Sequence, residues 1–196
     1  MINISDFLVD KVIYQSHNTV VYQGKRLSDN VAVVIKALNN EYPDNYLIEH
    51  FENEYQLLKE LDFDGIPRIY SLEKCQNGLA IIMEDFNGVS LKDLLGYSKT
   101  DIKEFLDIAI RIVDVLDFIH SKNIIHKDLN SSNILLNREE GVIKVIDFGI
   151  SAKISSVKES QINTRLDGTL PYISPEQTGR MNKSLDYRTD FYSLGI

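Results

Sequence analysis

Hydrophobic positions change period a little under a quarter of the way along the chain. Val20-Val21-Tyr22 and Val31 to Ile35 are β-branched and aromatic runs parted by the polar turn Ser28-Asp29-Asn30, which predicts two adjacent strands. Over residues 44–61 the period becomes helical: Leu47, Phe51, Tyr55 and Leu58 fall on one face, and Gly65 and Pro67 close the segment. Arg68 to Glu73 and Leu79 to Met83 read as two more strands around a turn at Gln76-Asn77-Gly78. Beyond Asn87-Gly88 the strongest signal is a helix over 101–120, with Ile102, Phe105, Leu106, Ala109, Ile112, Val113, Leu116 and Ile119 in one apolar stripe. Thr100 is the expected N-cap, with Asp101 and Glu104 in the first turn, where the helix dipole favours negative charge. Short strands follow at Ile134 to Leu136 and Ile143 to Ile146, then a polar stretch from Ser151 to Thr169. The pattern predicts a β-rich front with one helix and a mainly helical rear, divided near residues 84–90.

Two charges sit where this pattern calls for apolar side chains. Lys36 ends the strand VAVVIK on the side of Ala32 and Val34, and Glu54 lies inside the stripe of the helix over 44–61. A lone buried charge is costly, so either the two pair with each other or both reach out to water. A third cluster is the segment IIHKDLNSSNILL followed by VIKVIDFGI. His126, Asp128 and Asn133 occupy a polar loop between apolar strands, and Asp147 follows Val145-Ile146 directly. Each residue alone suits a turn; together, two carboxylates and a carboxamide suit a hard cation such as magnesium, which also keeps water and phosphate oxygens in its shell.

Composition narrows the class. The chain has 196 residues, 43% hydrophobic and 26% charged, enough for a real core and too apolar for wholesale disorder. The 29 acidic residues outnumber 21 basic ones, giving a net charge of −8, which argues against general nucleic-acid binding. The single Cys75 leaves no internal disulfide or cysteine-based zinc site and fits a reducing, cytoplasmic setting. The first residues lack the signature of a signal peptide, and runs such as LAIIM are too short to span a bilayer.

With these residues in place, the chain resembles the protein kinase family. VAVVIK resembles the strand-lysine motif, HKDLNSSN the catalytic loop, IDFG the metal-binding motif, ISPE the signature that closes the activation segment, and DFYSLG the start of the central helix of the rear lobe. The stretch GTLPYISPEQTGRMNKSLDYRTDFYSLG is similar to the N-terminal kinase-like domains of large bacterial multi-sensor signalling proteins. The resemblance implies an α+β, bilobal protein-kinase-like fold. Its front lobe would be residues 1–84, and residues 85–196 a partial rear lobe, C-terminally truncated inside the central helix.

The same resemblance implies an ATP- and Mg²⁺-dependent serine/threonine kinase acting on protein hydroxyls, within a longer chain carrying downstream signalling modules. Lys36, paired with Glu54, would contact the α- and β-phosphates; Asp128 would be the catalytic carboxylate; Asn133 and Asp147 would hold the metal. Ile13, Val21, Val34, Met83, Leu135 and Ile146 would enclose the adenine, with hinge backbone groups from Glu84 and Phe86. Asp190 would brace the catalytic loop through backbone N–H groups, and Glu176 would pair with an arginine beyond Ile196. Two other readings share these motifs: a pseudokinase or regulatory interaction module, and a small-molecule phosphotransferase.

Several positions depart from the family pattern. Tyr14, Ser16 and Thr19 stand where the phosphate-covering loop carries glycines, which implies weaker nucleotide binding or a cradle made of Ser16, His17 and Thr19 side chains. Lys127 replaces the arginine before the catalytic aspartate, so a bidentate grip on a phosphorylated loop is lost. Ser155, Ser156, Ser160 and Thr164 are the candidate phosphorylation sites. Asn130 replaces the lysine two residues after Asp128, which implies slower transfer, and Thr169 in GTLPY favours serine/threonine specificity.

Overall fold

The structure is a computed structural model that describes residues 2–40, 43–75, 78–97, 101–154, 168–179 and 184–196. Gln76, Asn77, Thr100, Ser155, Ser156, Ser160 and Thr164 lie outside them. The chain forms two compact units, one of residues 1–62 and 67–86, the other of residues 63–66 and 87–196.

The first unit is a five-stranded antiparallel sheet with one helix. Its strands are β1 (Phe7–Gln15), β2 (Thr19–Arg26), β3 (Ala32–Leu38), β4 (Ile69–Cys75) and β5 (Gly78–Glu84), in the order β1-β2-β3-β5-β4. Period-two alternation splits β3 cleanly. Val33, Ile35 and Ala37 join Ile4, Ala80 and Ile82 in one buried cluster. Leu38 lies on the opposite face and packs with Ile81 and with Phe51 of helix α1 (Asn45–Lys59). Lys36 and Val34 share that second face with Leu38 by the same alternation. The Asp44 carboxylate accepts the Leu47 N–H at 2.8 Å and caps α1. β1 is the strand that the hydrophobic pattern misses. Most of its residues are exposed, Leu8, Val12, Ile13 and Tyr14 among them, so pairing with β2 rather than burial defines it.

The second unit contains β6 (Val89–Ser90), α2 (Leu91–Tyr97), α3 (Ile102–Ser121), β7 (Ile124–Ile125), β8 (Ile134–Asn137), β9 (Val142–Val145), β10 (Ala152–Lys153) and α4 (Arg188–Leu194). Two short 3₁₀ segments, Leu170–Tyr172 and Pro175–Thr178, precede α4. β6, β8 and β9 form one antiparallel sheet, and β10 pairs with β7. α3 is capped by Asp101, whose carboxylate accepts the Glu104 N–H at 2.8 Å, and this corrects the expected Thr100 cap. Of the stripe expected on α3, only Ile112, Leu116 and Ile119, toward its C-terminal end, are buried, and Val115, outside that stripe, is buried with them. Ile102, Phe105, Leu106 and Val113 are exposed, because α3 packs chiefly on β7 and β9, beneath its second half. Gly65 belongs to this packing. A Cβ there would lie 2.2 Å from Val115 Cγ2, and its carbonyl accepts the Val145 N–H at 2.9 Å. Among the described residues, no helix is long and apolar enough to cross a membrane.

Candidate active site

In the first unit, the two misplaced charges meet. Lys36 Nζ lies 2.6 and 2.8 Å from the two Glu54 carboxylate oxygens, with the Glu54 side chain 3% exposed. Sheet register sets this up. Val21 pairs with Lys36 across β2–β3, and Val34 pairs with Met83 across β3–β5, so all four side chains share the face on which α1 packs. Val21, Val34 and Met83 are half-buried, unlike their fully buried neighbours Val33, Ile35 and Ile82. Ile13 sits at a register shift between Val12 and Tyr14 and is half exposed. The Glu84 N–H is committed to the Arg68 carbonyl at 2.9 Å, and Glu84 Oε1 accepts the Arg68 N–H. Phe86 closes this unit and is also half-buried.

The β1–β2 turn shows what replaces glycine. Ser16 Oγ lies 3.0 Å from Thr19 Oγ1 and accepts the Thr19 N–H at 3.0 Å, while Asn39 Nδ2 donates to the Ser16 carbonyl at 2.8 Å. The two hydroxyls are directed at each other, which departs from a cradle built of Ser16, His17 and Thr19 side chains.

In the second unit, the loop after β7 is held by side chains from three directions. Asp190, fully buried at the start of α4, accepts the His126 N–H at 2.9 Å and the Lys127 N–H at 2.8 Å, as the resemblance implies. The same carboxylate lies 2.8 Å from His120 Nε2 at the end of α3. Within the loop, Asp128 N–H donates to His126 Nδ1 at 3.3 Å, and His126 Nε2 lies 3.2 Å from the Ile146 carbonyl. A carbonyl can only accept, so this pattern corresponds to the Nε2–H tautomer of His126.

Asp128 is oriented at both oxygens. Oδ1 accepts the Thr169 N–H at 2.8 Å, and Oδ2 accepts from Asn133 Nδ2 at 3.0 Å. Asn133 Nδ2 also donates to the Asp128 carbonyl at 2.9 Å. The Asn133 amide nitrogen is thus spent on two acceptors, and the oxygen is the atom of that group able to accept or ligate. The Ile146 N–H donates to the Asn133 carbonyl at 2.9 Å, which sets Asp147 one residue beyond that link. Asp147 is exposed and adopts a left-handed backbone, φ 66°, uncommon for a residue with a side chain. Leu135 and Ile146 are half-buried, between buried neighbours at Ile134, Leu136 and Val145.

The departures acquire physical content here. Asn130 Nδ2 donates to the Asp128 carbonyl at 3.0 Å and to Thr169 Oγ1 at 3.1 Å, and its Oδ1 accepts the Ser132 N–H. Asn130 is 5% exposed and acts as a neutral brace inside the loop. Glu176 accepts a hydrogen bond from Thr189 Oγ1 at 3.0 Å, within the chain itself. Gly168, at φ 120°, delivers the Thr169 N–H to Asp128 from a backbone conformation that side chains disfavour.

The first unit thus holds a strand lysine ion-paired to a helix glutamate, and the second a loop aspartate locked to an asparagine five residues on; protein kinases carry both arrangements. The comparisons agree: residues 9–196 match the protein kinase domain model, and the chain belongs to that family. It is 33% identical over 180 residues to a probable serine/threonine-protein kinase PknB of Lactococcus lactis, an alignment covering 90% of this chain and 28% of that protein. It is 35% identical over 180 residues to the serine/threonine-protein kinase PrkC of Bacillus subtilis, covering 90% of this chain and 27% of that protein. The serine/threonine-protein kinase pak-2 of Caenorhabditis elegans is 29% identical over 192 residues, with 98% of this chain and 35% of that protein covered. The chain therefore spans little more than a quarter of the length of these two bacterial relatives. The α+β protein-kinase-like fold expected from the motifs is borne out by the family match. That family uses ATP and a divalent metal and acts on proteins.

Proposed function

We propose that this chain is the catalytic domain of a serine/threonine protein kinase, moving the γ-phosphoryl group of ATP onto a protein hydroxyl with Mg²⁺ as the metal. The observation that carries the reading is the Asp128 carboxylate, fixed through one oxygen by Thr169 and through the other by Asn133. ATP supplies the transferable phosphoryl group, and Mg²⁺ screens its charge. Asp128 orients the acceptor hydroxyl and takes its proton. Lys36, held by Glu54, binds the α- and β-phosphates. Asn133, through its amide oxygen, and Asp147, through its exposed carboxylate, hold the metal; a carboxylate and a carboxamide suit an ion that keeps water and phosphate oxygens. Val21, Val34, Met83, Ile13, Leu135 and Ile146 contact the adenine, and Glu84 and Phe86 meet it through backbone groups. The half-burial of five of them, and the exposure of Ile13, support this, since a closed core would have buried them.

The self-paired hydroxyls of Ser16 and Thr19 support weaker nucleotide binding than a glycine loop gives. The neutral Asn130 supports slower transfer, since no cation stands at that position. Thr169 beside Asp128 supports serine/threonine specificity. Relatives about four times as long as the matched region support a longer signalling protein with further modules, and dependence on ATP supports a cytoplasmic reaction. The test is transfer of labelled phosphate from ATP to casein by wild type and Asp128→Asn. Loss of a general base predicts a fall of roughly 10²- to 10⁴-fold in kcat. Equal rates in the two proteins would overturn the reading.

A further inference from the structure

We propose that Gln177 is a positioning residue for Asp128, acting through the Lys127 carbonyl. The inference rests on the reading of Asp128 as the proton acceptor. Lys127 occupies the left-handed region, φ 69°, uphill for a residue with a side chain, so the loop needs external restraint there. Its N–H is held by Asp190 at 2.8 Å. Its carbonyl accepts from Gln177 Nε2 at 2.8 Å, across 50 residues of sequence. That carbonyl belongs to the peptide bond that leads into Asp128. The residue is thus clamped on both sides, and the second clamp decides the plane from which the Asp128 side chain departs.

The chemistry of Gln177 separates this role from ordinary capping. Gln177 Oε1 accepts the Ser174 N–H at 3.0 Å, closing a capping box at the start of the Pro175–Thr178 turn. A capping box asks only for an acceptor, which glutamate supplies equally well. The bond to Lys127 requires a donor, and only a carboxamide offers both from one group. Glutamate at 177 would keep the cap and aim a carboxylate at a carbonyl oxygen.

The experiment compares wild type, Gln177→Glu and Gln177→Met in the full chain, with ATP and casein. Gln177→Glu should melt near wild type, with KM for ATP unchanged and kcat lowered about tenfold, the size expected from losing one positioning bond at a reacting group. Gln177→Met, which loses the cap as well, should melt lower and show the same kcat loss. Hydrogen exchange gives a readout independent of turnover: the backbone over 126–133 should exchange faster in Gln177→Glu, while α3 stays protected. Wild-type kcat in Gln177→Glu, or unchanged exchange over that loop, would overturn the proposal. Equal activity of wild type and Asp128→Asn would instead count against the kinase reading, and loop exchange would still decide the role of Gln177.

Discussion

The two units hold their functional charges in opposite ways. In the first, an ammonium and a carboxylate meet at 2.6 Å, and the strength of the arrangement is Coulombic, sharpened by burial of Glu54. In the second, the Asp128 loop is held by a network: Asp190 grips two N–H groups, Gln177 a carbonyl, Thr169 and Asn133 the carboxylate itself. A pair fails when either member goes. A network loses little at its edge and much at its node.

The node should show the largest effect. Asp190→Leu leaves the His126 and Lys127 N–H groups without their acceptor, and we expect a loss of roughly 2–6 kcal/mol in urea unfolding of the second unit. A loss under about 1 kcal/mol would mean that the loop is held elsewhere. Next comes the pair. Lys36→Met strands a buried carboxylate and should destabilise the first unit by about 3 kcal/mol, with transfer abolished. Adding Glu54→Leu should restore much of the stability and none of the activity. If the double variant were as unstable as the single one, the cost would lie in packing rather than in charge.

At the network's edge, Thr169→Val removes the hydroxyl that Asn130 uses but keeps the backbone N–H on Asp128. It should lower kcat only about fivefold, the equivalent of about 1 kcal/mol. A loss as large as that of Asp128→Asn would show that Asn130 and Thr169 act as one unit with the carboxylate.

The smallest effect concerns an exposed pair that belongs to neither arrangement. The Arg26 hydrogen bond holds the Asp29 carboxyl below its usual range. A carboxyl depressed in the folded state stabilises above its ordinary value and loses that contribution as pH falls through the lowered value. Asp29→Asn should therefore melt slightly below wild type at neutral pH and match it once the carboxyl is protonated. A melting difference that grows in acid would reverse the sign and refute the assignment.

What could be read in advance follows from what is local. Alternation put Lys36 on the side of Val34, and helical spacing put Glu54 inside the apolar stripe, which left mutual pairing or exposure to water, and the fold took the first. The order and spacing of Asp128, Asn133 and Asp147 marked the loop. β1 was illegible because hydrogen bonding to β2, rather than burial, makes it a strand. The stripe on α3 was over-read, since periodicity reports which residues share a face and not how far a neighbour covers it. Gln177 was missed although Ser174 and Gln177 carry the capping-box spacing. That signal concerns its own turn and carries no word of a carbonyl 50 residues upstream.

The sequence by itself determined the periods, the two charges out of pattern and the motif order, all consequences of side-chain chemistry acting over a few residues. Tertiary structure alone decided that Ser16 and Thr19 turn to each other, that Asn130 braces its own loop, and that Gln177 and Asp190 clamp Lys127 from distant segments. A hydrogen bond depends on direction and distance to within tenths of an ångström. Only the folded backbone brings such distant groups within that tolerance.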